Sequence, residues 1–241
     1  SPYTLDKGIF KRIKESAEKN EQTDYFLIID EINRGNISKI LGELISLLEV
    51  DYRGSEHVRT LAYSKESFFV PENIYIIGTM NTADKSLVQM DEALRRRFVF
   101  EELMPDPDLL DKQYQKLRVP KSDADTYKDL LRKLNKKIVS GDRMRQYRDK
   151  QVGHSYFWNV ENDNDLRLVI KYQIIPLLQD YFYDDYAEIK GILGNKIIGE
   201  DNRPTNLLDK GNEAELMGAL LTAFEDKQTP PEPEQQVEDE E

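Results

Sequence analysis

The chain has 241 residues, 39% of them hydrophobic and 33% charged, and its formal net charge is −12. This length suits one domain of ordinary size, or a larger lobe with a smaller one. Because the sequence has no cysteine and only two histidines, disulfides and thiolate metal sites are excluded and a zinc site is not expected. No apolar run reaches the roughly 18 residues that span a bilayer, so we expect a soluble, cytoplasmic protein with no membrane partner.

Much of the negative charge lies at the C-terminal end. The last 17 residues, EDKQTPPEPEQQVEDEE, contain eight acidic residues, one lysine and three prolines. Such a segment has almost no apolar surface to bury, so residues 225–241 are predicted to be a disordered acidic tail. The rest of the chain is only mildly acidic, which argues against a polyanion-binding surface over the whole body but allows a local basic patch.

Residues 1–103 begin with alternating helix and strand patterns. Apolar residues recur at helical spacing over residues 7–19, which predicts a helix. Residues 26–30 are a short apolar run that ends in Asp30, typical of a parallel strand that is buried on both faces. Apolar residues then recur at steps of three and four over residues 37–48, which predicts one amphipathic helix.

The same alternation continues to the end of this lobe. Two strand-like pieces within residues 58–70 predict a hairpin, and residues 74–79 predict a second buried strand. Asp91 can cap a short helix with the sequence EALRRRF, and residues 98–101 predict a third strand. Alternating strands and helices imply an α/β lobe with three layers.

Residues 104–224 are predicted to form a second, all-α lobe. Four helix patterns follow one another: DPDLLDKQYQKL, ADTYKDLLRKLNKKIVS, DNDLRLVIKYQIIPLLQDYFYDDYAEIKGIL and NEAELMGALLTAF. Pro176 lies inside the third of these patterns. It should kink or split that helix, because proline has no backbone N–H and clashes with the preceding turn.

Polar residues follow both strands that are predicted to be buried. Asp30 and Glu31 come directly after the first strand, and Asn81 comes after the second. In open parallel sheets, ligands bind beyond the carboxyl ends of the strands. At a nucleotide site, Asp30 would suit Mg²⁺ held through water, and Glu31 would suit a base that polarises the attacking water. The alternative is an ordinary strand that leaves its core, with Asn81 as a turn residue.

Three stretches of the sequence resemble the McrB family of AAA+ NTPases: FLIIDEINRGNISKILGELISLLEVDYRG, VPENIYIIGTMNTADKSLVQMDEALRRRF and VGHSYF. Members of this family are motor subunits that restrict modified DNA together with an McrC nuclease. The resemblance covers about residues 7–185. It implies an AAA+ P-loop NTPase core followed by an α-helical lid, with Mg²⁺ and GTP or ATP as cofactors. It also implies a homo-oligomeric ring, expected to be a hexamer, an McrC-like nuclease partner, and DNA in the full assembly.

The resemblance assigns roles to the residues after the two strands. It implies that Asp30 is the Walker B magnesium residue, that Glu31 is the catalytic base and that Asn81 is sensor 1, which orients the attacking water. The NTAD stretch also resembles the guanine-reading Asn-Lys-x-Asp pattern of GTPases, with Thr82 in the place of lysine. Sensor 1 explains the position at a strand end without a missing lysine, so we prefer it. The nucleotide stays open, with GTP favoured by the resemblance.

The resemblance also assigns roles to arginines. It implies that Arg95 and Arg96 are arginine fingers, supplied to the nucleotide of a neighbouring subunit, and that Arg34 lies at the same subunit interface. Arg97 could instead support the turn from helix to strand. Without the resemblance, three consecutive arginines would be interpreted as a solvated basic face.

His154 and Ser155 lie in the VGHSYF stretch, near the position where other AAA+ proteins have a sensor 2 arginine. The sequence has no arginine there, so a nucleotide-binding role for either residue is predicted from the position of the stretch alone. His154 could equally be a capping or buried structural histidine.

No G-x-x-x-x-G-K-[ST] phosphate loop occurs in the sequence. In the family this loop lies upstream, so the chain is expected to be the C-terminal portion of an McrB-like motor and to be inactive alone. AAA+ sheets have the strand order 5-1-4-3-2, and the chain would supply strands 3, 4 and 5 without strand 1. We therefore expect a gap beside strand 4, with strand 5 unpaired or shifted.

Two alternative functions remain open. One is a nucleotide-inactive interaction module that keeps the AAA+ scaffold, and the other is a MoxR-like AAA+ chaperone that acts on proteins. The hairpin within residues 58–70 could face the pore of a ring or DNA, or could only cover the edge of the sheet.

Overall fold

A computed structural model describes residues 6–62, 64–81, 92–140, 147–183 and 185–225. The chain divides into two compact units, Ser1–Glu102 and Leu103–Glu241. Thr82, the predicted helix cap Asp91 and nearly all of the predicted acidic tail lie outside the described residues.

The first unit is built on two parallel strands, β1 (Tyr25–Ile29) and β4 (Ile74–Gly78). They pair in register from Tyr25 opposite Ile74 to Ile29 opposite Gly78. Helix α1 (Ile9–Lys19) contacts both strands. The helix predicted over residues 7–19 and the strands predicted over residues 26–30 and 74–79 are therefore confirmed.

A hairpin contributes to the same core. Strands β2 (Arg59–Thr60) and β3 (Ser67–Phe68) pair antiparallel, which confirms the hairpin predicted within residues 58–70. Phe68 is buried and meets the ring of Phe10 on α1 edge to face, with 5.6 Å between the ring centroids. The buried residues of this core are Ala17, Leu47, Phe68, Val70 and Ile74. This packing favours a covering role for the second strand of the hairpin.

The prediction that the first strand is buried on both faces is wrong. Alternate residues on β1 and β4 leave one face of the pair open: Phe26, Ile28, Tyr75 and Ile77 are all exposed, and Ile28 retains 66% of its accessible surface. The rings of Phe26 and Tyr75 stack on each other, with centroids 5.3 Å apart. The core residues Ala17 and Phe68 pack against the opposite face of the strand pair. Among the described residues, no comparable cluster covers the exposed face.

The amphipathic helix predicted over residues 37–48 is interrupted. Helix α2 covers only Ile37–Leu41, and a 3-10 helix continues over Gly42–Leu48. Gly42 has φ 51° and ψ −123°, a conformation that ends an α-helix and that side chains disfavour. The apolar pattern still serves the core, because Leu47 and Leu48 are buried.

The strand predicted over residues 98–101 does not form. The preceding short helix α3 covers Glu92–Arg95, and Val99 is 99% exposed. Among the described residues β4 pairs with β1 alone, and the expected gap in the place of strand 1 stays a prediction. A strand needs a neighbour for its backbone N–H and C=O groups, so an apolar run without one does not become a strand.

The second unit is helical, as predicted. Its helices are α4 (Leu110–Leu117), α5 (Lys121–Ile138), α6 (Asp163–Val169), α7 (Ile175–Phe182), α8 (Tyr186–Leu193) and α9 (Glu213–Phe224). The described β-structure in this unit is one isolated bridge between Ile198 and Pro204. Within the described ranges, no helix is both long enough and apolar enough to cross a membrane.

Pro176 changes the helix that contains it, as predicted. The segment Ile170–Ile174 between α6 and α7 is a π-helix, and Pro176 lies in the first turn of α7. A π-turn shifts the backbone hydrogen bonds by one residue, which accommodates a proline that cannot donate one. The irregularity therefore has a local cause in the sequence.

Two buried tyrosines link the helices of this unit. The hydroxyl of Tyr114 donates to the carbonyl of Phe157 at 3.0 Å, and that of Tyr127 donates to the carboxylate of Asp163 at 2.8 Å. Burial raises the pKa of both tyrosines well above the ordinary value, so both remain neutral donors. The hydrogen bonds hold α4 and α5 to the segment that precedes and begins α6.

The start of α9 provides a pH-dependent contact. The Gly211 N–H donates one bifurcated hydrogen bond to the two oxygens of the Glu213 carboxylate, at 3.0 and 3.1 Å, and Oε1 of Glu213 lies 3.3 Å from Nε of Arg167. The bond from Gly211, with a further contribution from the Arg167 charge, lowers the pKa of Glu213. The stabilisation is therefore present above the unfolded-state pKa, about 4.3, and is lost as the pH falls through the lower folded-state pKa.

We expect Glu213→Gln to destabilise the chain at pH 7 and to lose this effect in acid, because protonation abolishes the same charge in the wild type. Urea unfolding at a series of pH values from 7 to 3 measures the difference. Glu215→Gln is the matched control, since Glu215 lies in the same first turn of α9 and is exposed. A difference between wild type and Glu213→Gln that stays constant with pH would contradict the expectation.

Candidate functional site

Two carboxylates and one amide lie beyond the carboxyl ends of β1 and β4. Asp30 and Glu31 follow β1 directly, and Asn81 lies three residues after the last residue of β4. The strands are parallel and Ile29 is opposite Gly78, so both ends reach the same edge of the sheet. The structure thus brings together the three residues that sequence analysis assigned to metal, base and sensor 1.

A tight turn follows β1. Glu31 has φ 51° and ψ 51°, the left-handed region that non-glycine residues rarely occupy, and the 3-10 turn Ile32–Arg34 begins immediately after it. Ile32 is buried and packs over Gly78, where a Cβ atom would lie only 2.9 Å from Cδ1 of Ile32. Gly78 therefore lets the turn close tightly against the end of β4.

Thr79 joins the end of β4 to this turn. Its N–H donates to the carbonyl of Ile29 at 3.0 Å, and its carbonyl accepts from the N–H of Ile32 at 2.8 Å. Its hydroxyl accepts from the N–H of Glu31 at 3.0 Å and donates to Oδ1 of Asp30. Sequence analysis missed Thr79. The signal was available, because in-register parallel strands place the residue after Gly78 beside the residue after Ile29.

Asn33 is a second residue that sequence analysis missed. Its Nδ2 donates to the backbone carbonyl of Asn81 at 3.4 Å, which connects the turn to the segment after β4. Oδ1 of Asn33 is buried and has no hydrogen-bond partner among the described residues. The amide of Asn33 thus lies between the carboxylate turn and the residue assigned to sensor 1.

Arg34 pairs with the residue assigned as the base. Its Nε lies 2.7 Å from Oε2 of Glu31, and the two side chains are 59% and 44% exposed. Exposed pairs of this kind are weak and are easily exchanged for another partner. In this structure Arg34 contacts its own chain, and its predicted place at a subunit interface stays a prediction.

The three consecutive arginines differ in their surroundings. Arg95 and Arg96 are exposed, and the guanidinium of Arg95 lies 5.3 Å from the ring centroid of Phe100. The side chain of Arg97 is only 7% exposed, lies 2.7 Å from Oε1 of Glu49 and donates to the carbonyl of Ala93. Arg97 therefore fastens the end of α3 to Glu49, while the first two arginines face solvent.

His154 and Ser155 belong to the helical unit. They open a 3-10 turn, His154–Phe157, and Nδ1 of His154 accepts a hydrogen bond from the N–H of Asp106 at 3.2 Å. Ser155 is exposed. This contact agrees with the structural alternative for His154, and a role in nucleotide binding stays a prediction.

The residues at the sheet edge fit a Mg²⁺ ion that takes most of its ligands from water and phosphate. Among the described residues, no group of three or more His, Asp or Glu side chains is placed to hold a metal. Mg²⁺ in nucleotide enzymes takes one or two protein carboxylates and completes its shell with water and phosphate oxygens. A single carboxylate at Asp30, with one oxygen bonded to Thr79, matches that pattern and does not match a cage made only of protein ligands.

Comparison with known families defines the class of protein. Residues 2–98 match the family model of the AAA domain (dynein-related subfamily). Residues 126–190 match the family model described as the McrB alpha-helical lid domain. The α/β unit is thus an AAA domain, and the helical unit is a lid of the McrB type.

Two relatives agree with this classification. The chain is 38% identical over 206 residues to the "Type IV methyl-directed restriction enzyme EcoKMcrB subunit" of Escherichia coli (strain K12), which covers 80% of this chain and 44% of that protein. It is 35% identical over 113 residues to the "Type II restriction enzyme BsuMI component YdiS" of Bacillus subtilis (strain 168), which covers 42% of this chain and 33% of that protein. The chain belongs to the McrB-like AAA proteins, and it spans less than half the length of either relative.

Proposed function

We propose that this chain is the Walker B-to-lid portion of an AAA motor that hydrolyses GTP or ATP. The single observation that carries the proposal is the convergence of Asp30, Glu31 and Asn81 at one edge of a parallel pair of strands. Ligands of open parallel sheets bind beyond this edge. A strand that merely left its core would not need a polar residue such as Asn81 after the neighbouring strand, in contact with the turn that follows Glu31.

In the proposed reaction, each residue at the edge has a separate task. Asp30 would hold Mg²⁺ through water, and the bound ion would supply positive charge against the phosphates of the nucleotide. Glu31 accepts a hydrogen bond from the attacking water and draws its proton as the γ-phosphate is transferred. Asn81 orients that water by hydrogen bonding. Arg34 pairs with Oε2 of Glu31 in this structure, and Oε1 is the oxygen that this pair leaves for a proton.

We propose that the active protein is a ring, a hexamer, in which each subunit supplies Arg95 and Arg96 to the nucleotide of its neighbour. The exposure of both side chains supports this assignment, since a finger must leave its own chain to reach another. Because the sequence has no phosphate-loop motif, we further propose that a segment outside this chain completes the nucleotide site.

We propose that the motor acts with an McrC-like nuclease in the restriction of modified DNA. The two relatives, a methyl-directed restriction enzyme subunit and a restriction enzyme component, support this role. The two rival functions, a nucleotide-inactive module and a MoxR-like chaperone, have no comparable support among these relatives.

The proposal is tested by measuring GTP and ATP hydrolysis by the full-length protein, with and without Mg²⁺. We expect Mg²⁺-dependent hydrolysis that Asp30→Asn reduces at least about 100-fold, because the amide loses the charge that holds the metal. Asp24→Asn, an exposed change at the other end of β1, is the matched control and should retain the wild-type rate. A wild-type protein that hydrolyses neither nucleotide would favour the interaction module.

A further inference from the structure

We infer that Thr79 is a positioning residue for the Asp30 carboxylate and for the backbone of Glu31. Its hydroxyl sets the direction of the Asp30 carboxylate and fixes the turn at Glu31. This inference rests on the proposed function, because it concerns the same site.

Thr79 bonds both residues of the carboxylate pair through one oxygen atom: Oγ1 accepts the N–H of Glu31 at 3.0 Å and donates to Oδ1 of Asp30. A threonine hydroxyl has one proton and two lone pairs, so it can make both bonds at once. Serine can make the same two bonds, whereas valine has the shape of threonine but no hydroxyl group to donate or accept.

Thr79 itself is held in place by its backbone. Its backbone N–H and C=O continue the ladder of hydrogen bonds between the strands, to Ile29 at 3.0 Å and from Ile32 at 2.8 Å. The buried side chain of Ile32 closes over Gly78 on the same side of the turn. The hydroxyl thus projects from a rigid strand end, and orientation of a ligand side chain is the usual work of such an outer hydrogen bond.

Each of the two bonds of the Thr79 hydroxyl serves the proposed chemistry. A hydrogen bond to Oδ1 of Asp30 restrains rotation of the carboxylate and leaves Oδ2 as the oxygen for a metal-bound water. The bond to the N–H of Glu31 satisfies that donor in the left-handed conformation, which would otherwise be disfavoured. Loss of the hydroxyl therefore frees the Asp30 carboxylate and removes the bond that holds the backbone of Glu31, and it removes no group that contacts the nucleotide.

The test compares Thr79→Val with Thr79→Ser in the full-length protein. Valine keeps the branched shape and removes the hydroxyl, whereas serine keeps the hydroxyl and removes the methyl group. We expect Thr79→Val to lower kcat about 10- to 100-fold, the range found when an outer-shell partner of a metal ligand is lost. Thr79→Ser should stay within about threefold of wild type, because the hydrogen bonds remain.

A second readout needs no turnover. Affinity for Mn²⁺, measured by electron paramagnetic resonance with a non-hydrolysable GTP analogue bound, should weaken about tenfold in Thr79→Val and be restored in Thr79→Ser. Affinity for the metal-free analogue should be unchanged in both variants. If circular dichroism shows that Thr79→Val does not fold, Thr79→Cys replaces it with the same expected losses, since a thiol is a weak donor and acceptor.

The outcomes separate this inference from the proposed function. If Asp30→Asn abolishes hydrolysis but Thr79→Val matches wild type in both kcat and Mn²⁺ affinity, the inference is overturned and the function stands. If Thr79→Ser loses as much as Thr79→Val, the effect belongs to the packing of the methyl group, and the inference is again overturned. If the wild-type protein hydrolyses neither GTP nor ATP, the proposed function fails and the inference fails with it.

Discussion

Glu31→Gln in the full-length protein is expected to reduce hydrolysis of GTP or ATP by about 100- to 10,000-fold, which is the usual contribution of a general base. Glutamine has nearly the same shape but cannot accept the proton of the attacking water. Because Glu31 does not contact the phosphates in the proposed reaction, the nucleotide Kd should stay within about twofold of wild type. Single-turnover hydrolysis and equilibrium binding of a fluorescent nucleotide measure the two quantities separately.

Two further variants make the interpretation of Glu31→Gln specific. Glu21→Gln makes the same chemical change at an exposed turn before β1 and should leave the rate unchanged. Glu31→Gln also breaks the ion pair with Arg34, so Arg34→Gln is needed to show what loss of that pair does alone. Equal loss of rate and of nucleotide affinity in Glu31→Gln would show that the residue shapes the binding site and does not act as a base.

Local patterns in the sequence were sufficient where the chain supplies its own partners. The parallel pair β1 and β4, helix α1 and the helices of the second unit follow from apolar runs and helical spacing, because each packs against neighbours within its unit. The same patterns failed at residues 98–101. There an apolar run has no adjacent strand in the described chain, and hydrogen bonding to a neighbour decides whether a strand forms.

The backbone conformation of single residues could not be predicted from the sequence. Gly42 interrupts the helix predicted over residues 37–48, yet glycine within a helical pattern is also commonly tolerated, so spacing alone does not locate the break. The left-handed conformation of Glu31 is harder still to predict, since glutamate rarely adopts it. At Glu31 the structure supplies the reason, because Thr79 and Ile32 hold the turn.

The position of the candidate site could be predicted from the sequence, but the hydrogen bonds within it could not. Strand order along the chain was enough to place Asp30 and Asn81 at strand ends, and the parallel register then brings those ends together. The hydroxyl of Thr79 and the amide of Asn33 join the site through contacts between residues about 50 positions apart. No local periodicity records such contacts.

Arg95→Ala/Arg96→Ala is expected to lower hydrolysis by about 1,000-fold or more without loss of stability, since an arginine finger supplied in trans contributes 10³–10⁵ in rate. Both side chains are exposed in α3 and the turn after it, so their truncation removes no buried contact. The change is measured as kcat of the full-length protein, together with its melting temperature. Arg12→Ala, an exposed change on α1, is the control for loss of surface charge.

Substitution of Arg97 is expected to lower stability, in contrast to substitution of Arg95 and Arg96. It therefore distinguishes a structural arginine from arginine fingers. Its side chain is 7% exposed and paired with Glu49, so Arg97→Ala should cost about 1–3 kcal/mol of stability, less than a fully buried pair because Glu49 is partly solvated.

Rings assembled from two kinds of variant subunit test whether Arg95 and Arg96 act in trans. A ring that combines subunits carrying Arg95→Ala/Arg96→Ala with subunits carrying Glu31→Gln contains interfaces at which one subunit supplies an intact base and its neighbour supplies intact arginines. Such a ring should regain hydrolysis that neither variant has alone, whereas arginines that act within their own subunit would leave every mixed ring inactive.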